Sequence, residues 1–282
     1  MIKFEKTVTP SPEQWEAIIR GMRNPKNSWR HSDSVNCLER DGCEGCPAHT
    51  CEGCVVQGVD PFVIGSNDHR LMMNLANGGP VHAKYRRMIP VYVDITAPLY
   101  WWKEFDTYKI GTVANSCSTM HKIHEKEFTM EDFSCEHLTP MSLAVLKNTI
   151  NILNIYRNTF LHGGEDFDEN GEKVYHEPKD KHIWYQMIQL LPSSYNQKRT
   201  VQMNYEVLVG IYKWRKNHKL QEWRDMCDWI ETLPYSELIT AKEEKPETSF
   251  EEDMMVILND MTNAQAEWAI EYLKGQYPKV VL

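Results

Sequence analysis

The segment 139–161 constrains the fold most, because it is the clearest long helix in the chain. Thr139 stands at its N-cap, Pro140 at its first position, and Leu143, Leu146, Ile150, Leu153 and Phe160 recur on one face. Proline is at home there because the N–H it lacks would be unsatisfied anyway, and the recurrence is the helical period. A different period marks Met88-Ile-Pro-Val-Tyr-Val-Asp-Ile95, which is β-rich, with Pro90 at an edge or a strand start. The chain therefore combines long helix with sheet.

Other elements follow from the same signals. Ser11 and Pro12 open a helix that carries Trp15, Ile18, Ile19 and Met22 inward and ends near Gly21 or Asn24-Pro25. Asp68 to Asn77 is helical through Leu71, Met72 and Leu75, and Gly78-Gly79 closes it. A helix begins at Pro98 with Tyr100, Trp101, Trp102 and Phe105; its aromatic run either packs into the core or forms a stacking wall. Gly163 to Asp180 is a polar, turn-rich excursion, and helices follow at about 181–191, 200–217 and 219–232. Lys242 to Glu252 is a charged linker, so residues 1–240 are expected as one domain and 241–282 as a helical extension dispensable for its fold.

The net charge of −9 argues against a duplex nucleic-acid partner, whose affinity rests on neutralising phosphates. It leaves room for one local basic pocket for a small phosphate. No apolar run reaches the roughly 20 residues of a membrane span, and the first residues lack a signal peptide's apolar stretch. A cytoplasmic protein is expected, so its eight cysteines are not read as structural disulfides. Five of them crowd into 37–54, inside an insertion at 31–64. The pairs Cys43/Cys46 and Cys51/Cys54 are two Cys-x-x-Cys knuckles, which fit a tetrahedral zinc site, with Cys37 in reserve. Only four residues separate the knuckles, which keeps an iron–sulfur cluster open.

A second constellation is sparse and polar. His82 precedes the strand, and Glu104 follows it by 22 positions. Then come Thr107-Tyr108-Lys109 and Asn115-Ser116-Cys117-Ser118. Farther on, Leu191-Pro192 precedes Asn204 by 12 positions, Arg215 follows after 11 more, and Gln221 after a further six. Together with Met22-Arg23-Asn24-Pro25 and Ser28-Trp29, this order and spacing resembles the flavin-dependent thymidylate synthase family over about residues 15–235.

The resemblance implies an α+β fold, a central sheet flanked by long helices, and a homotetramer with active sites at subunit junctions. It implies FAD, with NADPH and methylenetetrahydrofolate as co-substrates, and transfer of a one-carbon unit to C5 of a pyrimidine deoxynucleotide. Arg215, Ser118 and Glu104 match residues of the nucleotide site, with Gln221 beside them. His82, Asn204, Lys109 and Asn115 match the cofactor side. Departures are equally plain. Of the family's Arg-His-Arg triplet only Lys109 keeps a charge, and the family's arginines become Glu206, Ile188 and Met120 here. Lys103, Lys122, Lys198, Arg199, Lys213 and Lys216 are the cations available to replace them. Glu104 in place of the family's Gln favours an amino-bearing base, so the substrate reads as dUMP or a deoxycytidine nucleotide. A non-catalytic nucleotide-binding or assembly relative with a structural metal knuckle, and a redox protein centred on the cysteines, are the rival readings.

Overall fold

The computed structural model describes residues 2–36, 62–168 and 170–240. The cysteine knuckles (Cys37, Cys43, Cys46, Cys51, Cys54) and the extension at 241–282 lie outside the described residues. The centre is a four-stranded antiparallel sheet made by β1 (Lys3–Val8), β4 (Pro90–Pro98), β8 (Asn196–Asn204) and β5 (Val113–Ser116), in that spatial order. Pro90 opens β4, which has β1 on one side and β8 on the other, so the proline marks a strand start and not an edge. Register fixes the two faces. Val91, Val93, Ile95 and Ala97 of β4 point inward beside Val201 and Met203 of β8, while Tyr92, Asp94 and Thr96 face outward beside Gln202, Thr200 and Lys198.

The inner face is covered by α1 (Pro12–Arg23), α3 (Leu99–Phe105), α6 (Tyr205–Arg215) and α7 (Gln221–Glu231). In α1, Ser11 and Gln14 form a reciprocal capping box, and Trp15, Ile18, Ile19 and Met22 are buried as their spacing requires. Trp101 and Trp102 of α3 are also fully buried, which makes them core and not a stacking wall. The long helix is α4 (Pro140–His162), and Thr139 accepts from Ser142 N at its start. It does not cover the sheet. Leu146, Ile150, Leu153 and Phe160 pack on Ile183 and Met187 of α5 (Lys181–Leu190), forming a second core with Phe128 and Phe133. Gly163 to Asp180 folds back as a hairpin of β6 (Gly164–Phe167) and β7 (Lys173–His176).

One expectation is corrected. The segment 200–217 was expected as a single helix, but it begins in β8, and α6 starts only at Tyr205 with Asn204 as its N-cap. Gln197 and Arg199 share the inward register of Val201 and Met203, so polar residues on both faces of β8 hide the two-residue period in sequence.

The remaining elements are β2 (Val35–Asn36), β3 (Phe62–Val63), α2 (Ser66–Asn77) and α8 (Glu237–Thr240). A buried ion pair ties α1 to α2. Arg23 Nε donates to Asp68 Oδ1 at 2.5 Å, with the two side chains 4% and 0% exposed. The other Asp68 oxygen accepts from the Ser32 and Ser34 hydroxyls and from the Asp33 and Ser34 amides. Arg23 Nη1 reaches the Ser28 carbonyl and Nη2 the His31 carbonyl. Asp33 caps α2 by accepting from the amides of Asn67 and Asp68. One aspartate and one arginine thus hold the whole 28–34 turn. Among the described residues no helix is long and apolar enough to cross a membrane.

Candidate functional site

Glu104 ends the last turn of α3, and Arg215 ends α6. The fold brings them together: Arg215 Nη1 lies 3.3 Å from Glu104 Oε2. The same carboxylate oxygen accepts from the indole of Trp223 at 2.6 Å, and His218 Nε2 stands 3.8 Å away. Arg215 Nε donates to the Tyr108 hydroxyl at 2.9 Å. Its guanidinium lies 4.5 Å from the Trp223 ring centroid, a cation–π distance. Behind Trp223 stand Trp101 and Phe105, at 4.8 and 6.5 Å between centroids, so a packed aromatic wall fixes the pair. Two atoms of this cluster make no hydrogen bond among the described residues: Arg215 Nη2, a donor, and Glu104 Oε1, an acceptor. Trp223, Tyr108 and His218 were not singled out in sequence. Tyr108 sits inside the triplet that departs from the family pattern, and an aromatic in an otherwise polar loop was its only signal.

The loop after α3 runs alongside α6 towards its N-terminus. Tyr108 meets the side chain of Arg215, from the last turn of α6, and Gly111 meets Asn204, its N-cap. Gly111 has φ +75°, and a Cβ there would lie 3.1 Å from Asn204 Nδ2 and 3.0 Å from Val207 Cγ2. Only glycine fits this approach without strain. Asn204 Oδ1 accepts from Val207 N, capping α6. Three buried polar atoms near this end have no partner among the described residues: Arg86 Nε, Thr112 Oγ1 and Glu206 Oε2. Burial raises the nearby Tyr85 hydroxyl to about 12, with Arg86 lowering it and Glu206 raising it.

The other expected residues lie elsewhere. Ser118 accepts from His121 N at 2.9 Å and lines a cavity of about 390 Å³ of mixed charge, with Lys122 and Lys126 beside Glu125, Glu127 and Asp132. His82 is exposed, with its ring over Gly78; Lys109 and Asn115 are exposed on the loop and on β5. Gln221 opens α7 and donates to Asp225 at 2.6 Å. No hydrogen bond or ion pair among the described residues joins His82, Ser118 or Asn204 to the Glu104–Arg215 pair. Several of the cations available for the lost arginines are committed to carboxylates: Lys122 to Glu125, Lys198 to Glu5 and Asp94, Arg199 to Asp106, and Lys216 to Glu231. Cys117 is exposed, whereas burial pushes the Cys227 thiol up to about 11.

The unpartnered polar atoms near the N-terminus of α6 are of the chemical kind that a flavin ring edge would need. Arg86 Nε, Thr112 Oγ1, Asn204 Nδ2 and Glu206 Oε2 offer both donors and an acceptor, which an isoalloxazine edge requires. One cation balanced by one carboxylate is a poorer match to the cofactor's diphosphate. No cluster of His, Cys, Asp or Glu able to hold a metal ion occurs among the described residues.

No protein-family model matches the chain, and no curated protein matches it by sequence. Its structure is similar to that of flavin-dependent thymidylate synthase ThyX from Helicobacter pylori with FAD and dUMP. In one structure of that protein the TM-score is 0.50 at 14% identity, covering 87% of this chain and 98% of that one. A second gives 0.49 at 14% identity, covering 85% and 96%. The UMP/dUMP methylase PolB from Streptomyces cacaoi, bound with 5-Br dUMP, gives 0.43 at 10% identity, covering 82% and 88%. At a TM-score of 0.50 and 14% identity the likeness is one of fold.

Proposed function

We propose that the protein is a pyrimidine-deoxynucleotide C5 methyl- or hydroxymethyltransferase of the flavin-dependent thymidylate synthase type, with an altered substrate. The observation that carries this reading is the meeting of Glu104 and Arg215 on an aromatic wall, with one free donor and one free acceptor. Those two atoms match the edge of a pyrimidine, which offers a carbonyl oxygen beside an N–H or amino group. Putting a one-carbon unit on C5 requires electron density to move from the ring carbonyl region to C5 and back. Arg215 stabilises the negative charge that collects on a ring oxygen, and does so without reorganising, because Tyr108, Glu104 and Trp223 already hold it flat. FAD, when bound beside Asn204, Thr112 and Arg86, supplies hydride chemistry, with NADPH as reductant and methylenetetrahydrofolate as the one-carbon donor. Ser118 joins this site from a second subunit of a homotetramer in the same reading, its cavity's Lys122 and Lys126 being paired with Glu125 and Asp132.

Glu104 decides the base. A carboxylate accepts only, so Oε1 favours the amino group of a deoxycytidine nucleotide; an amide also donates and satisfies a uracil edge. Glu104→Gln is expected to shift the dUMP:dCMP affinity ratio towards dUMP by about ten-fold, the worth of one polar contact near 1.4 kcal/mol. Calorimetric titration of wild type and variant with both nucleotides reads this, and an unchanged ratio would remove Glu104 from the base site.

One observation favours a second reading, a non-catalytic nucleotide-binding relative. Arg215 spends two of its nitrogens on Glu104 and Tyr108, and Lys198, Arg199 and Lys216 are spent on carboxylates. In that case nucleotide binds but purified protein carries no flavin absorbance.

A further inference from the structure

We propose that the concavity between the end of α1, the turn after it and one face of α2 binds a phosphate group, free or carried on a nucleotide. It encloses about 330 Å³ and is lined by Lys26, Ser28, His31, Asn67, Arg70 and Asn74. Asn67, Arg70 and Asn74 stand at i, i+3 and i+7, so one helix face supplies half of the wall. No carboxylate lines the space. Lys26, His31 and Arg70 form no ion pair among the described residues, and Arg70 donates only to Asn67 Oδ1, at 2.7 Å. Asp68 is fully buried and neutralised by Arg23, and the Asp33 carboxylate is taken up at the start of α2, where it accepts from the amides of Asn67 and Asp68. A chain with a net charge of −9 therefore presents here a concavity whose lining carries cations and neutral donors but no carboxylate.

The wall is also prepared. Arg23, anchored by Asp68, holds the Ser28 and His31 carbonyls at 3.2 and 3.0 Å, so the turn that presents Lys26, Ser28 and His31 is fixed before any ligand arrives. A site ordered in advance loses less entropy on binding. Ser28 Oγ accepts from Arg23 Nη1, which leaves its own proton to donate. Anionic oxygens are the ligand that two permanent cations, an imidazole and a hydroxyl donor select together. The volume lies at the small end of ligand pockets, roughly 300–1,000 Å³, which suits a phosphate or diphosphate and not a whole dinucleotide. None of these residues belongs to the Glu104–Arg215 cluster, so the site does not depend on the proposed reaction.

The test is calorimetric titration of the full chain at fixed ionic strength with pyrophosphate, inorganic phosphate, dCMP and deoxycytidine. Pyrophosphate is expected to bind wild type. Lys26→Gln and Arg70→Gln should each weaken it about ten-fold and the double variant about a hundred-fold, with melting temperatures unchanged because both side chains are exposed. Arg215→Lys should bind pyrophosphate as wild type does, which separates this site from the proposed active site. If Lys26→Gln also weakens dCMP but not deoxycytidine, the phosphate arrives on a nucleotide; if dCMP is unaffected, the ligand is free phosphate. Failure of wild type to bind pyrophosphate, or a double variant within two-fold of wild type, would overturn the proposal.

Discussion

Asp68→Ala is expected to lower the stability of the protein by about 3–5 kcal/mol, the usual loss when one partner of a buried ion pair is removed. Arg23, 4% exposed, would keep its charge without its carboxylate, and the hydroxyls and amides of the 32–34 turn would lose their common acceptor. Chemical denaturation of wild type and variant measures the difference, and a change under about 1 kcal/mol would show that water replaces the carboxylate. The same pair sets an acid dependence. Burial alone would raise the Asp68 carboxyl, but hydrogen bonds from Ser34, Ser32 and Arg23 and the Arg23 charge outweigh it and hold it below the ordinary carboxylate range. A depressed folded-state value means that its stabilisation is complete above the unfolded value, about pH 4, and is lost as pH falls through the folded one. Asp68→Ala should therefore flatten the stability profile below about pH 4.

Arg215→Lys is expected to weaken pyrimidine-nucleotide binding by more than about 100-fold, since at least two charge-assisted hydrogen bonds of about 1.5–3 kcal/mol each depend on the fork. A lysine ammonium cannot reach Tyr108 and Glu104 together, lie flat on Trp223 and still present a donor to a ring oxygen. The fold should survive, because the aromatic wall behind Arg215 is buried by its own packing. Binding within a few-fold of wild type, at an unchanged melting temperature, would show that Arg215 is only a structural partner of Glu104.

The elements that sequence made legible are those whose periodicity is uninterrupted by function or edges. Helix α1 declares itself by Ser11, Pro12 and four inward residues, and α4 by Thr139, Pro140 and an apolar face. Strand β1 is a charged sheet edge, β5 is exposed at all four residues, and β8 carries Gln197 and Arg199 on the same side as Val201 and Met203. Neither period can show in such segments, and so three of the four strands were silent. At the site, the pairing of Glu104 with Arg215 was expected only through the family resemblance, together with His82, Ser118 and Asn204, which the described contacts do not join to it. The partners that orient them were not: Trp223 reads as an ordinary apolar position of α7, and its indole N–H finds Glu104 only once α3 and α7 pack. The Arg23–Asp68 pair was equally hidden, since 45 residues separate two side chains whose burial no local pattern records.

The central claim is that a pyrimidine deoxynucleotide seats on Glu104 and Arg215. Its most direct test is calorimetric titration of the full-length wild-type protein with dUMP and with dCMP, in the presence of FAD. Saturable binding of at least one nucleotide, tighter for dCMP, is the result this account predicts. Binding of neither, with FAD present and the protein folded, would contradict it.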